Sequence, residues 1–371
     1  MRIAQISPLI ESTPPKLYGG TERMVSWLTE ELVRQGHDVT LFASGDSVTD
    51  AKLEACCPEA LRLDPRVQET NPYYFVMLDK LRRRADEFDI LHFHIDYFHY
   101  PLFREIANKT LTTLHGRQDT HDLQPLHKAF PDMPLATISN SQASFIANRN
   151  VAGTVLHGLQ ENLFAPNYQP QGGYLAFLGR MAPDKRPDRA IQIARKLGIP
   201  LKMAAKVDDV DREYFEQKIK PMLAGDGVEF IGEIGEKEKQ AFLGNALALL
   251  FPIDWPEPFG LVMIEAMACG TPVLAFGEGS VPEVIDDGVS GMVVNSVAEA
   301  VAAYPELIAL DRKTVRRVFE RRFTVKRMAE DYVALYRSLL AKQGAEGTNG
   351  KRLPRGRGAE PEARITLTRE D

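Results

Sequence analysis

The chain has 371 residues, a formal net charge of −6 and a hydrophobic fraction of 44%, which suits two domains of moderate size. The acidic balance argues against a nucleic-acid-binding face, and three cysteines without a Cys-x-x-Cys spacing argue against a disulfide framework or a zinc ribbon. The first residues become polar too early for a signal peptide and no run of about 18 apolar residues occurs, so we expect a cytoplasmic protein without a transmembrane segment.

The first half of the chain alternates short apolar runs with amphipathic segments. We predict strands at residues 2–7, 38–43, 90–94, 110–115, 136–139 and 154–157, with helices at 21–35 and 72–88. Gly19 and Gly20 precede the first helix, where they either let a ligand approach the backbone or serve as turn glycines. Since they do not form a G-x-G-x-x-G fingerprint, we expect no dinucleotide coenzyme. This opening is typical of a doubly wound α/β domain.

The alternation starts again after a polar passage at residues 162–171. Strands are predicted at 174–178, 201–205, 228–231, 246–252 and 272–276, and helices at 187–197, 210–223, 236–245, 259–269, 297–310, 313–321 and 325–340. The repeated pattern predicts a second Rossmann-like domain. The predicted boundaries are 1–168 for the N-terminal domain, 169–322 for the C-terminal domain, 323–342 for a final helix and 343–371 for a disordered tail rich in glycine, proline and charge.

The most informative stretch is residues 246–270, a predicted strand, a proline-rich loop and a helix. This unit places the first N–H groups of the helix, at Phe259, Gly260 and Leu261, beside the carboxyl end of a sheet, where they can bind an anion. Glu257 in the loop and Glu265 in the helix lie on either side of that position. Carboxylates beside an anion site suggest a ligand that has both phosphates and hydroxyls, such as a sugar nucleotide.

Several short motifs occur in a fixed order along the chain. They are Gly19-Gly20-x-Glu22, the run D-I-L-H-F-H at 89–94, T-L-H at 113–115, G-R-x-x-x-x-K from Gly179 to Lys185, E-P-F-G-L-V-M-I-E from Glu257 to Glu265, and G-E-G-S-V-P-E-V at 277–284. Together they resemble the GT-B glycosyltransferases, most closely glycosyltransferase family 4, over residues 1 to about 341. The resemblance implies two Rossmann-like domains that face each other across a cleft, with the C-terminal helix crossing back to the N-terminal domain.

The resemblance also implies an activity, which is the transfer of a hexose-type sugar from a nucleotide-sugar donor, a UDP-sugar, with retention of configuration. Arg180 can grip a diphosphate with its planar fork and Lys185 adds a point charge, so both would stabilise charge that develops on the leaving group. The implied catalytic residues are Arg180, Lys185, His115 and Glu257; the donor-binding residues are Gly19, Gly20, Phe259, Gly260, Leu261 and Glu265; the acceptor-side residues are Glu22, His94 and Asp96.

We expect no metal and no cofactor. The expected partners are the nucleotide-sugar donor and an acceptor that is a sugar, a lipid-linked sugar or a small molecule. A basic run at Lys80 and Arg82–Arg84 is either a solvated face or a contact with the inner membrane surface, which leaves open a peripheral location there. The donor base also stays open, because residues 206–209 lack the glycines that many relatives have near the base.

Two other functional classes compete with this interpretation. His92, His94 and Asp96 form an H-x-H-x-D pattern with which several metallohydrolases begin a metal site, although Tyr97 stands where the metallo-β-lactamase-like pattern has histidine. The chain could instead be a GT-B shell that binds a sugar nucleotide without turnover. Activity that survives chelation would exclude the first alternative, and turnover would exclude the second.

Overall fold

We analysed a computed structural model that describes residues 1–16, 19–146 and 150–349, with side chains described to Lys342. From residue 350 onward, the predicted disordered tail lies outside the described residues. The described chain forms two parallel sheets, and each sheet is built from one of the two predicted α/β series. The last helix reaches Asn349, within the segment that we predict to be a tail.

The N-terminal sheet has seven parallel strands in the order β3-β2-β1-β4-β5-β6-β7. Their bounds are Arg2–Ile6 (β1), Asp38–Ser44 (β2), Lys52–Cys57 (β3), Ile90–Phe93 (β4), Thr110–Thr113 (β5), Leu135–Thr137 (β6) and Val151–Thr154 (β7). The helices of this half are Gly20–Arg34 (α1), Asn71–Arg83 (α2), Tyr100–Phe103 (α3), Leu123–Ala129 (α4) and Asn140–Ser144 (α5). Strand β1 lies between β2 and β4, so the strand order reverses there.

The C-terminal sheet has six parallel strands in the order β10-β9-β8-β11-β12-β13. Their bounds are Leu175–Arg180 (β8), Leu201–Lys206 (β9), Val228–Gly232 (β10), Ala248–Phe251 (β11), Val273–Phe276 (β12) and Gly291–Val294 (β13). The helices are Pro187–Leu197 (α6), Arg212–Tyr214 (α7), Glu236–Gly244 (α8), Leu261–Ala268 (α9), Val281–Val284 (α10), Val297–Ile308 (α11), Arg312–Arg322 (α12) and Val325–Asn349 (α13). The central strands are apolar and buried on both faces, as parallel sheets require.

The chain passes between the two sheets twice, and the two crossings lie side by side. The Leu159 N–H donates to the Phe323 carbonyl at 2.8 Å, and the Val325 N–H donates to the Leu159 carbonyl at 2.7 Å. A Cβ at Gly158 would lie only 2.3 Å from the carbonyl oxygen of Thr324, so the two crossings touch closely. Beyond this contact, α13 returns to the N-terminal sheet, where its Tyr336 and Tyr332 side chains are buried, which confirms the predicted crossing-back of the last helix.

Some predicted elements differ from the structure. Strands β3 and β13 were not predicted, because β3 alternates charged and small residues at the sheet edge and β13 is short and half-buried. The last N-terminal strand ends at Thr154 instead of running over 154–157, since Arg327 takes the carbonyls of Leu156 and His157 as hydrogen-bond acceptors. The helix predicted at 210–223 is broken into short α, π and 3₁₀ turns, and it contains Pro221, which lacks an N–H donor.

The helix predicted to start at 259 instead starts at Leu261. Gly260 has a φ of 79°, in the left-handed region, so the chain turns sharply immediately before the helix. The N–H of Met263 already bonds to the Gly260 carbonyl at 3.0 Å. The exposed donors at this helix start therefore lie one to two residues further along the chain than the sequence pattern predicts.

The basic run on α2 is engaged by carboxylates. Each of its four cations forms an ion pair, in the combinations Lys80–Glu54, Arg82–Glu105, Arg83–Asp79 and Arg84 with both Glu54 and Glu87. These pairs favour the solvated-face interpretation of the run. Within the described residues, no helix is both long and apolar enough to cross a bilayer.

Candidate functional site

The carboxyl ends of the central strands of the two sheets face each other across a cleft. This is the edge at which open parallel sheets bind ligands, at the point where the strand order reverses. A cavity of about 840 Å³ lies there and is lined by both domains. All the proposed catalytic and donor-binding residues line this cavity. They are Gly19, Gly20, His115, Arg180, Lys185, Glu257, Phe259, Gly260, Leu261 and Glu265.

Arg180 ends strand β8 and its guanidinium is surrounded by acidic side chains. Its nearest carboxylate oxygens belong to Asp211 at 3.2 Å, Asp184 at 3.4 Å and Asp208 at 3.9 Å. About a third of the Arg180 side chain is exposed. Its two terminal nitrogens donate one hydrogen bond each, to Asp211 and to Asp184, and neither carboxylate binds the guanidinium in bidentate geometry.

Lys185 follows in the next turn and pairs with Glu257. The Lys185 ammonium contacts a Glu257 carboxylate oxygen and lies 4.6 Å from the centre of the Trp255 ring. The indole N–H of Trp255 donates to the same carboxylate at 3.1 Å. Both partners of the ion pair are largely buried, with 16% and 12% of their side chains exposed, so each one compensates for the other's lost solvation.

The Glu257 loop is held from behind by the turn that precedes α10. The Ser280 N–H donates to the Glu257 carbonyl at 3.0 Å, and the Ser280 hydroxyl donates to the Phe259 carbonyl at 2.9 Å. Gly279 has a φ of 59°, and a Cβ there would lie 2.3 Å from the Glu257 nitrogen. Only glycine therefore lets this turn pack so closely against the loop that presents Glu257.

Glu265 lies on α9 two turns from the Glu257 loop and is buried, with 6% of the residue exposed. Its Oε1 accepts a hydrogen bond from the Lys239 ammonium at 2.7 Å. We predict that a carboxylate on so apolar a helix needs a partner, and in this structure the protein partner is Lys239 on α8. One carboxylate oxygen is paired in this way, and the residue as a whole lines the cavity.

His115 follows strand β5 and lines the wall of the cavity on the N-terminal side. Its ring stacks on His157 with centroids 5.3 Å apart and an interplanar angle of 15°, and His157 in turn meets Phe259 edge-on at 5.0 Å. Burial lowers the pKa of His115 to about 4, so the ring is neutral at physiological pH. The rings of His115, His157 and Phe259 thus form a chain of contacts from the N-terminal domain to the turn before α9.

The acceptor-side residues separate into two groups. A second cavity of about 360 Å³ is lined by His94, Asp96 and His115, together with aromatic and apolar groups that include Tyr74 and Phe98. Asp96 has a φ of 52°, and desolvation by the protein around its carboxyl raises its pKa. Glu22 is buried, which raises its pKa, and it is not among the residues that line either cavity.

The metallohydrolase pattern is not assembled into a metal site. Both ring nitrogens of His92 are hydrogen-bonded, to Tyr336 and Thr113, and both ring nitrogens of His94 are hydrogen-bonded, to His115 and Gln5. Among the side chains that the structure describes, no cluster of three or more potential metal ligands occurs. The structure therefore gives no support to the metal-dependent hydrolase.

Some cavity residues were missed by the sequence interpretation. They are Arg23, Trp27, His157, Lys206, Glu233, Lys239 and Trp255. Lys206 ends strand β9 beside Arg180, so its position at a strand end was a usable signal. Lys239 could not be found in this way. It lies within helix α8, and the sequence pattern of a helix does not show which distant helix a given residue faces.

Polar contacts join the two domains beside the cleft. Arg23 on α1 forms an ion pair with Glu236 at the start of α8. The Glu283 carboxylate accepts hydrogen bonds from the N–H groups of Asn140 and Ser141, at 2.7 and 2.6 Å, at the first turn of α5. The described conformation is therefore one in which the domains are in contact.

Comparison with known families agrees with this geometry. The family model described as "Glycosyltransferase Family 4" matches residues 18–157, and the one described as "Glycosyl transferases group 1" matches residues 160–322. A curated relative, N-acetyl-alpha-D-glucosaminyl L-malate synthase of Bacillus anthracis, is 25% identical over a match that covers 90% of this chain and 96% of that protein. A D-inositol 3-phosphate glycosyltransferase of Mycobacterium marinum is 27% identical over 44% of this chain, and the match spans only 42% of that protein's length.

Solved structures show the same fold at low sequence identity. AviGT4, a glycosyltransferase involved in avilamycin A biosynthesis, has a TM-score of 0.70 at 23% identity, and the match covers 92% of this chain and 98% of that one. Anabaena Alr3699/HepE in complex with UDP and glucose has a TM-score of 0.67 at 16% identity, with 93% of this chain and 100% of that one covered. These likenesses confirm the GT-B arrangement of two Rossmann-like domains.

Proposed function

We propose that this chain, whose two halves match the models for Glycosyltransferase Family 4 and for Glycosyl transferases group 1, transfers a hexose-type sugar from a UDP-sugar to an acceptor with retention of configuration. The observation that carries this proposal is the convergence of Arg180, Lys185, Glu257 and Glu265 on one cavity beside the start of α9. Two cations and a helix N-terminus suit a diphosphate, and two carboxylates suit the hydroxyls of a ribose and a sugar.

The donor diphosphate would lie between Gly19-Gly20 and the start of α9, within reach of Arg180 and Lys185. As the bond from the sugar to the diphosphate breaks, negative charge grows on the leaving phosphate. Fixed cations and helix N–H groups then bind the transition state more tightly than the ground state, which lowers the barrier. The departing phosphate would accept the acceptor's proton on the same face of the sugar, so this route needs no protein nucleophile.

The Lys185–Glu257 ion pair would be exchanged when the donor binds. In the described state each of the two groups neutralises the other in a largely buried place. A diphosphate would take over the Lys185 ammonium, and sugar hydroxyls would donate to the Glu257 carboxylate. The Lys185 ammonium would then be paired with the diphosphate, and the Glu257 carboxylate would keep hydrogen bonds from the sugar and from the Trp255 indole N–H.

The second cavity, around Asp96, would hold the acceptor. His115 is part of its wall, and the Asp96 carboxylate lies there beside the Tyr74 and Phe98 rings. A carboxylate accepts hydrogen bonds from hydroxyls, and aromatic rings pack against the apolar face of a sugar, so this cavity suits a hydroxyl-rich acceptor.

The test is a panel of sugar nucleotides, scored first by thermal stabilisation of the protein and then by slow hydrolysis of the donor. We expect a UDP-sugar to raise the melting temperature and to be hydrolysed with the anomeric configuration kept, also after treatment with EDTA. Stabilisation by no sugar nucleotide would overturn the proposal. Binding without any hydrolysis or transfer would support the non-catalytic shell instead, and loss of activity on chelation would show that a metal takes part.

A further inference from the structure

We propose that Gln5 and His94 are positioning residues that set the tautomer of His115, with the proton on Nε2 and a bare Nδ1 toward the cleft. The tautomer itself follows from hydrogen bonds in the protein alone. Its consequence for catalysis rests on the proposed function, in which the donor binds in the first cavity, whose wall includes His115.

The direction of each hydrogen bond follows from the amide oxygen of Gln5, which can only accept. His94 Nε2 lies 2.8 Å from Gln5 Oε1, so His94 carries its proton on Nε2. A neutral imidazole has one N–H, which leaves His94 Nδ1 as an acceptor. That atom lies 2.9 Å from His115 Nε2, so His115 must donate from Nε2 and keep Nδ1 unprotonated.

The amide nitrogen of Gln5 faces the crossing helix α13 and the ring of His92. Gln5 Nε2 lies 3.2 Å from the Tyr336 hydroxyl and 3.4 Å from His92 Nδ1, and both of these atoms can accept from an amide N–H. The Tyr336 hydroxyl then donates to His92 Nδ1 at 2.7 Å, which places the His92 proton on Nε2, where it faces Thr113 Oγ1 at 2.7 Å. With the amide in this orientation every donor meets an acceptor, whereas the reversed amide would reverse each of these hydrogen bonds and move the His115 proton to Nδ1, so the His115 tautomer reports the orientation of the Gln5 amide.

Burial keeps the histidines of this network neutral, which the tautomer argument requires. Desolvation lowers the pKa of His92 and His94 well below the usual 6.5, and it lowers that of His115 to about 4. At physiological pH each ring therefore has one proton, whose position the neighbouring hydrogen bonds decide.

The functional consequence is that His115 presents an acceptor to the two cavities that it lines. An unprotonated Nδ1 can accept a hydrogen bond from a sugar hydroxyl, whereas the other tautomer would present an N–H to the same hydroxyl. Gln5 lines neither cavity and His94 lines only the second one, so toward a donor in the first cavity both residues would act through His115.

The direct test is ¹⁵N NMR of the histidine rings in the intact protein at neutral pH. We expect His115 to show the Nε2–H tautomer, with Nδ1 at the chemical shift of an unprotonated nitrogen. A protonated Nδ1 in His115, or a mixture of both tautomers, would overturn the proposal. This measurement needs neither a donor nor activity, so it stands even if the proposed function fails.

Two substitutions of His94 separate positioning from packing. In His94→Asn the side-chain oxygen takes the place of Nδ1 and still accepts from His115, whereas His94→Leu fills similar space without an acceptor. We expect H94L to lower kcat about tenfold with the donor KM within about twofold, and H94N to stay within about threefold of wild type, since one hydrogen bond is at stake.

His99→Leu is the matched control. His99 is a buried histidine in the same domain that bonds to Thr112 and stacks on Phe93, outside the network. H99L should leave the His115 tautomer and kcat unchanged, whereas H94L should let the His115 ring sample both tautomers. Equal losses in H94N and H94L, or an unchanged His115 tautomer in H94L, would show that His94 acts through packing and would overturn the positioning role.

Discussion

Replacement of Glu265 by glutamine tests whether its carboxylate binds the ribose of the donor. Glutamine keeps the shape of the side chain but removes its charge. In the described structure Oε1 accepts from Lys239 at 2.7 Å and only 8% of the side chain is exposed, so any ribose contact would be made in a poorly solvated place. The proposal requires that the carboxylate also accept hydrogen bonds from ribose hydroxyls.

The expected loss follows from the difference between charged and neutral hydrogen bonds. A bond to a charged group contributes about 1.5–3 kcal/mol and a neutral one about 1 kcal/mol, so the loss of charge in the bonds to two hydroxyls accounts for roughly 1–4 kcal/mol. This corresponds to an increase in the Kd of UDP of at least about fivefold. Loss of the charge that pairs with the largely buried Lys239 ammonium should also lower the free energy of unfolding.

The assay is calorimetric titration of wild type and E265Q with UDP and with 2′,3′-dideoxy-UDP. The dideoxy compound lacks the hydroxyls, so it should bind both proteins equally, whereas UDP should bind E265Q more weakly. If the substitution weakens both ligands by the same factor, Glu265 acts only through its ion pair with Lys239. If it weakens neither, the carboxylate does not contact the nucleotide at all.

Three further outcomes are expected. Arg180→Ala and Lys185→Ala should each lower kcat at least about tenfold because each removes a cation from the cavity, whereas Arg186→Gln, in the same loop but outside the cavity lining, should not; near-normal turnover of both cavity variants would contradict the diphosphate site. Gly279→Ala should weaken UDP-sugar binding and lower the melting temperature more than Gly288→Ala does. Both glycines have a positive φ, but only at Gly279 would the added Cβ lie within 3 Å of other backbone atoms. Equal effects of the two substitutions would mean that backbone strain from the positive φ is the only cause. The free energy of unfolding measured with urea should fall as the pH drops from 7 to 5. The buried histidines have lowered pKa values, so the unfolded chain takes up protons that the native chain excludes. A free energy of unfolding that stays constant over this range would refute their burial as neutral rings.

The sequence predicted the two parallel sheets and the residues that converge at their carboxyl ends. This succeeded because strands such as Leu175–Arg180 and Ala248–Phe251 are continuous apolar runs, and because a residue directly after such a strand lies at the ligand-binding edge. Arg180 could be placed from that rule alone. The boundaries between the domains stay a prediction.

The partners of these residues could not be predicted, since they come from elements distant in the chain. Lys239 and Glu265 lie on different helices, and Lys185 and Glu257 are 72 residues apart. The pattern H-x-H-x-D was ambiguous for the same reason. Only the fold reveals that both ring nitrogens of each histidine in the motif are hydrogen-bonded within the protein, to Gln5, Thr113, His115 and Tyr336.

The paired crossings near Leu159 and Thr324 limit how the cleft can open. Two backbone hydrogen bonds join the two crossing segments, so the domains are connected by a pair of hydrogen-bonded segments and not by a single linker. A single linker would let one domain rotate freely about the connection. Two paired segments resist this rotation and bend most easily in the direction perpendicular to the plane that contains them both. Opening should therefore follow one hinge direction, and a donor that enters would meet the same alignment of the two walls each time the cleft closes.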